Sequence, residues 1–278
     1  MRSRKLLFSL AAILGLALAI PAAAGGGSYA TVNGLRMYYE VQGTGRPLVM
    51  LHGATCTIES CLGKVRPPLA KGWKTVSPEQ QGHGRTADID RQFTFEQMAE
   101  DTVALLRQLD IKNADFFGYS DGGNVALRIA MRHPDLVRKV VILGTNYNND
   151  GLAPGILEAI KNSKPEEVPK VLRDGYAKVA PDPKGWPTLI AKVVKQTVDF
   201  QGWPPEAMRS IKAPILVMVG DADVVRPEHA VEMFKLLPQA QLAVLPGTDH
   251  FAPLQRSDWI ASMTKAFLDA PMPKPDKK

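Results

Sequence analysis

Cysteine is scarce in this chain: its 278 residues hold two, Cys56 and Cys61. A zinc site takes four protein ligands, or three and a water, so this pair is not a zinc set. In an oxidising compartment an even pair instead invites a disulfide. On a regular helix the two Cα atoms would stand about 8 Å apart, beyond disulfide reach, so a bond requires non-helical chain between them. Long apolar runs are equally rare. There is one, Leu6 to Ile20, and it is short for a membrane span, which needs about 20 residues. Arg2, Arg4 and Lys5 precede it and Pro21-Ala22-Ala23-Ala24 follows it, which completes the three parts of a secretory leader over residues 1–24. Arg-Ser-Arg-Lys lacks a twin arginine, leaving the general secretory route. The expectation is export, periplasmic or extracellular, with cleavage near Ala24 and no stable membrane anchor.

Excess charge is small too. The formal net charge is +6, and three of the positive charges sit in the leader. The remainder is too small and too scattered to call for a nucleic-acid partner. Lysines gather in residues 161–195, read as a solvated face, and in the tail 271–278, read as a frayed end. Internal repeats and heptad runs are lacking, which leaves a single domain with an ample core.

The segments that remain alternate between strand and helix. Asn33-Gly34 between alternating runs is a hairpin turn. Pro47–Leu51 is a short, uniformly apolar run, as expected of a strand buried on both faces; Lys139–Leu143 reads as another buried strand, and the core resumes with Pro214–Val219. Trp73–Ser77 and Gln241–Leu245 are further strands. Thr94-Phe95-Glu96-Gln97 reads as a capping box opening a helix, and helices are expected around Glu228–Leu237 and Asp258–Leu268. From 146 to 208 the pattern becomes helical and rich in Lys, Pro and Gly, without a clear strand, and reads as an insertion. The expectation is an α/β fold: a mostly parallel sheet with helices on both faces, its core formed by 25–145 and 209–270.

Gly118-Tyr119-Ser120-Asp121-Gly122 lies between the apolar run Phe116-Phe117 and a helical stretch beginning at Asn124. Strand, sharp turn and helix with serine at the apex is the setting in which G-x-S-x-G presents a nucleophile. A serine hydroxyl is a poor nucleophile and needs a base within hydrogen-bond reach. Of the five histidines, His133 sits at a helix end, His229 near the start of a helix and is expected to be exposed, and His83 in a glycine turn. His52 ends a strand beside the site as a minor candidate. His250 follows the last strand, downstream of a carboxylate, in the order Ser…Asp…His, and is the preferred base. Asp221 and Asp223 compete as the acid that orients it, with Asp223 preferred, since Asp221 could tie down its own turn; Asp249 ranks third. The oxyanion of an acyl transfer needs backbone donors: the Asp121 amide, and the Ala54 amide in the loop after an early strand.

Leu51-His52-Gly53, Gln81-Gly82-His83-Gly84-Arg85-Thr86, Gly118 to Gly123, Gly220-Asp221-Ala222-Asp223 and Gly247-Thr248-Asp249-His250 together resemble the α/β-hydrolases. The likeness implies eight strands, a helical lid in the insertion, and the second aspartate of Gly-Asp-x-Asp as the acid. The Gly-x-Ser-Asp-Gly-Gly elbow is similar to that of the biphenyl-hydrolase-like and valacyclovir-hydrolase-like members. Glu79-Gln80-Gln81 departs from the aspartate and arginine usual in relatives, in a loop that is structural in the family. The function so implied is hydrolysis of a small carboxylic ester through an acyl-serine, with no metal or cofactor. Carbon–carbon bond hydrolysis, perhydrolysis and non-enzymatic binding of a small ligand are the alternatives. Tyr147, Trp186 and Trp203 are candidate substrate contacts, and with Tyr176 and Phe200 they equally fit a small core of the lid's own. Asp121 fits either a helix start or a partner for a cationic group on the substrate.

Overall fold

The computed structural model describes residues 26–273. The expected leader and the last five residues of the expected tail lie outside them. Strands β1 (Ser28–Val32), β2 (Leu35–Gln42), β3 (Pro47–Leu51), β4 (Lys74–Pro78), β5 (Ala114–Tyr119), β6 (Val137–Leu143), β7 (Ile215–Gly220) and β8 (Ala240–Leu245) form one eight-stranded sheet in the order β1-β2-β4-β3-β5-β6-β7-β8. β2 is antiparallel to both its neighbours, and β4 through β8 run parallel. Asn33 and Gly34 both have positive φ, 47° and 82°, the primed turn that matches strand twist. β5 and β7 are buried along their whole length, while in edge strand β8 only Leu245 is buried.

The helices are α1 (Arg66–Leu69), α2 (Phe95–Gln108), α3 (Asp121–Arg132), α4 (Ile156–Lys161), α5 (Lys170–Val179), α6 (Trp186–Asp199), α7 (Pro205–Arg209), α8 (Pro227–Leu236), α9 (Ala252–Gln255) and α10 (Ser257–Asp269). α4 to α7 fill the stretch between β6 and β7. The Thr94 hydroxyl accepts the Gln97 amide at 3.1 Å. The second half of the expected capping box is not made, because Gln97 Nε2 donates to Asp101 Oδ1 at 2.9 Å. After the loop that carries Ala54 the chain forms a π-helical turn, Ile58–Leu62, followed by α1.

Order decides where the site lies. From β3 the chain crosses to β4 on one side, then returns through α2 to β5 on the other. The carboxyl ends of β3 and β5 thus flank the crevice that such a reversal opens. At the opposite end of β5, fully buried Asp115 accepts from Arg46 Nε at 2.8 Å and from Arg138 Nε and Nη2 at 2.6 and 2.9 Å. Both guanidinium groups also donate to Leu268 O, and Lys139 Nζ donates to Phe267 O. Cations on its last carbonyls tie α10 to the sheet. Asp115→Ala, which strips a buried carboxylate from two arginines, is expected to cost about 3 kcal/mol in denaturant unfolding.

Candidate active site

Ser120 joins β5 to α3 with φ 53° and ψ −122°, a conformation that costs an L-residue steric energy. Contacts on either side hold it. Its N–H donates to Leu143 O at 2.8 Å and its carbonyl accepts from Gly123 N–H at 2.8 Å. The turn closes because two side chains are missing: a Cβ on Gly118 would lie 2.4 Å from Gly122 O, and one on Gly122 2.3 Å from Leu51 O.

His250 Nε2 stands 3.1 Å from Ser120 Oγ, and its Nδ1 stands 2.7 Å from Asp223 Oδ1. With Nδ1–H donating to the carboxylate, the Nε2 lone pair is left facing the hydroxyl. Tyr119 OH donates to His250 O at 2.7 Å, and Asp223 is buried and also accepts the Val225 amide at 3.1 Å. Asp221 is exposed and accepts the Thr248 amide at 3.1 Å; the Gly247 and Thr248 amides hold its carboxyl below the usual carboxylate range. It braces the turn that carries His250. Asp249 accepts the Phe251 amide at 2.7 Å at the start of α9.

The other histidines are placed elsewhere. His52 accepts the Gln80 amide at Nε2, 3.1 Å, so its Nδ1–H donates to Gly53 O, 2.8 Å; burial lowers its pKa to about 4. With both nitrogens engaged it is a neutral brace for the loop after β3. His83 is buried, donates Nδ1–H to Gln81 O, and burial lowers its pKa to about 3. His133 meets Glu100 at 3.0 Å. His229, expected at the surface, is 1% exposed: it stacks on Tyr147 at 4.6 Å and accepts the Tyr147 amide, because the first turn of α8 packs on the chain leaving β6.

Ala54 and Asp121 lie beside Ser120 on the wall of one cavity of about 400 Å³. A Cβ on Gly53 would touch Ser120 Cβ at 3.0 Å, so the backbone before Ala54 runs against the serine. The Asp121 amide belongs to the first turn of α3, whose N–H groups have no intrahelical acceptor. Ala54 and Asp121 therefore flank Ser120 on the same wall of the cavity.

The cavity is aliphatic. Leu152, Ile156, Ile160, Leu172, Ile190 and Val193 line it, from the helical stretch between β6 and β7. The candidate contacts Tyr147, Trp186 and Trp203 do not line it. Tyr147 OH donates to Glu232 at 2.6 Å, Trp186 Nε1 to Pro165 O at 2.9 Å and Trp203 Nε1 to Asn124 Oδ1 at 3.0 Å. Tyr176 packs on Trp186, and Phe200 on Phe95 and Trp203. The indole N–H and phenol O–H groups need partners when buried, and backbone and neighbouring elements supplied them. Sequence reasoning missed the aliphatic lining, since β-branched residues and leucine at helical spacing look the same whether they face a core or a cavity. Among the described residues no group of three or more His, Cys, Asp or Glu side chains could hold a metal ion, and no helix is long and apolar enough to cross a membrane.

Asp121 heads α3 and is half-buried, lining the cavity. Burial raises its pKa to about 6, against a smaller lowering by His250. A proton is thus held more tightly in the folded chain than in the unfolded one. The resulting penalty is absent where Asp121 is protonated in both states, below its ordinary pKa of 3.8, grows as pH rises to about 6, and is constant above. Asp121→Asn is therefore expected to be more stable than the parent above pH 6 and to lose that advantage below about pH 4, read as Tm against pH.

Residues 48–263 match the model of the Alpha/beta hydrolase family. The serine hydrolase BPHL of Homo sapiens is 29% identical, covering 96% of this chain and 96% of that protein. The non-heme chloroperoxidase CPO-A1 of Kitasatospora aureofaciens is 25% identical, covering 79% of this chain and 90% of that protein. The solved meta-cleavage product hydrolase of Pseudomonas fluorescens IP01 superposes with a TM-score of 0.75 at 18% identity, covering 87% of this chain and 97% of that one. Motifs, sheet order and the family match agree, and the chain belongs to the alpha/beta hydrolase family.

Proposed function

We propose that this chain hydrolyses small carboxylic esters with an aliphatic acyl or alcohol group, through an acyl-serine intermediate. The observation that carries the reading is His250 bridging Ser120 Oγ and the buried Asp223 at 3.1 and 2.7 Å. Ser120 attacks the carbonyl carbon while Nε2 takes its proton; Asp223 stabilises the imidazolium. Charge passes to the carbonyl oxygen, which the Ala54 and Asp121 amides receive. Collapse expels the alkoxide, protonated by Nε2–H, and a water deprotonated by the same nitrogen then releases the acid.

The cavity's lining supports the substrate class. Its carboxylates are Asp121 and Glu167, and no lysine or arginine lines it among the described residues. A substrate carrying a carboxylate would meet no cation there, so a neutral ester fits best and an ester carrying a protonated amino group is tolerated. Carbon–carbon hydrolysis and perhydrolysis use the same three side chains and gain no separate support from the lining. The leader read in residues 1–24 would deliver the protein to an oxidising compartment, where a disulfide persists.

Purified protein assayed on p-nitrophenyl esters of graded chain length tests the reading. KM is expected to fall about fourfold per added methylene until the cavity is full, from about 0.8 kcal/mol per buried CH₂. Ser120→Ala should retain the fold and lose activity by several orders of magnitude; near-parent turnover would remove Ser120 from the mechanism. Asp223→Asn should lower kcat by about 10⁴-fold, through the wrong imidazole tautomer, and Asp221→Asn by far less, since Asp221 reaches only backbone. The opposite ranking would make Asp221 the acid.

A further inference from the structure

Cys56 and Cys61 form a disulfide with their Cα atoms 5.8 Å apart. Both are 3% exposed, and both border the cavity together with Ala54 and Thr55. The bond joins two pieces of chain of different character. On the far side, the turn Ile58–Leu62 is anchored from several directions. Thr57 and Ser60 cap each other at 2.8 and 3.1 Å. The Ile58 amide donates to the buried carboxylate of Glu79 at 3.1 Å, and Lys64 Nζ donates to Leu254 O at 3.1 Å in the segment after His250. Helix α5 lies on this turn, with a Cβ on Gly175 placed 3.3 Å from Ser60 Cβ.

On the near side the loop carrying Ala54 is held poorly. Thr55 has φ 59°, a strained value for a β-branched residue. The Thr55 hydroxyl reaches only the adjacent Ala54 O, and the turn's own bond, Cys56 N–H to Gly53 O, is long at 3.3 Å. His52 fixes Gly53 O but nothing beyond it. Strain of this kind persists only where the surroundings over-determine the conformation. The disulfide, one residue after Thr55, supplies that constraint.

We infer that the Cys56–Cys61 disulfide is a positioning element of the site: it locks the strained Ala54–Thr55 loop to the anchored turn, so that the Ala54 amide is in place before charge develops on the substrate. Its catalytic consequence rests on the proposed acyl-serine reading; the conformational part does not. Without the bond, Thr55 relaxes toward negative φ and the Ala54 amide swings off its bearing. Six residues from cysteine to cysteine make a short loop, which restricts the unfolded chain little. The effect of the bond is therefore local to the loop more than global.

The test compares three forms on p-nitrophenyl acetate, whose acyl group is too short to fill the cavity: oxidised parent, parent reduced by a phosphine without air, and Cys61→Ala. Alkylation and mass measurement count the thiols, and turnover is expressed per natively folded molecule by circular dichroism. Reduction keeps both sulfur atoms, so it separates loss of the bond from loss of volume. Reduced parent and Cys61→Ala are both expected to lose kcat by about 10- to 100-fold, short of the full cost of deleting an oxyanion donor. KM should stay within about twofold, and reoxidation of the reduced parent should restore kcat. Hydrogen exchange over residues 53–56 is expected to quicken in both, whether or not the protein turns over this ester. An inactive oxidised parent would refute the ester reading, and exchange would still decide the positioning role. Unchanged exchange in reduced protein with two alkylated thiols overturns the inference, as does unchanged kcat in an active enzyme. A loss confined to Cys61→Ala would assign the effect to cavity volume and overturn it equally.

Discussion

A serine held at φ 53° and ψ −122° lies outside the basins an L-residue prefers, and the strand and helix on either side of it must hold it there. β5 stops at Tyr119 and α3 begins at Asp121, so a single residue turns the chain. This works because the glycines around it let backbone approach backbone: Gly122 runs against Leu51 O at the end of β3, and Gly118 against Gly122 itself. The same approach brings Gly53 against Ser120 and places the loop after β3 beside that serine. The serine turn, the loop carrying Ala54 and the first turn of α3 thus share one cause. The hydrophobic sandwich of sheet and helices supplies the free energy that keeps this strain in place.

Electrostatics around that turn divide the acids by environment. Asp223 is buried but paired, accepting an imidazole N–H and a backbone amide. Asp221, two residues earlier, is in solvent and ties the neighbouring loop through backbone amides. Burial outweighs the opposing influence of His250 at Asp121 and pushes its pKa to about 6. Glu79 is fully enclosed, and burial pushes it to about 7 despite Arg85 and the two amides that donate to it. Its carboxylate accepts the Ile58 amide at 3.1 Å, so it bears on the turn that follows the Ala54 loop rather than on the Ser120–His250–Asp223 contacts.

The stretch between β6 and β7 shows two ways in which similar residues are used. Its aliphatic side chains face the cavity, while its tryptophans and tyrosines turn to partners that accept a hydrogen bond. An aromatic group with a buried N–H or O–H is committed by that group, whereas a leucine or valine is free to line empty space. The cavity is consequently mostly apolar, with Ser120, Asp121 and His250 at one part of its wall and Ser163, Glu167 and Thr197 contributed by the stretch between β6 and β7.

Much of this was legible in the residues alone. The Asn33-Gly34 turn, the apolar runs of β3, β6 and β7, and the strand–serine–helix junction at Ser120 all follow from local rules, because backbone preference and burial on both faces act over a few residues. The order Ser120, Asp223, His250 pointed to the three loops that the sheet brings together. What only tertiary structure decided depends on partners far apart in the chain. His229 is buried because α8 packs on Tyr147, Trp203 is turned from the cavity because Asn124 accepts its N–H, and Asp223 rather than Asp221 meets His250 because of the way the loops after β7 and β8 lie against each other. Periodicity shows that a side chain leaves solvent; which distant group it meets is set by the packing of whole elements, and no local pattern encodes that.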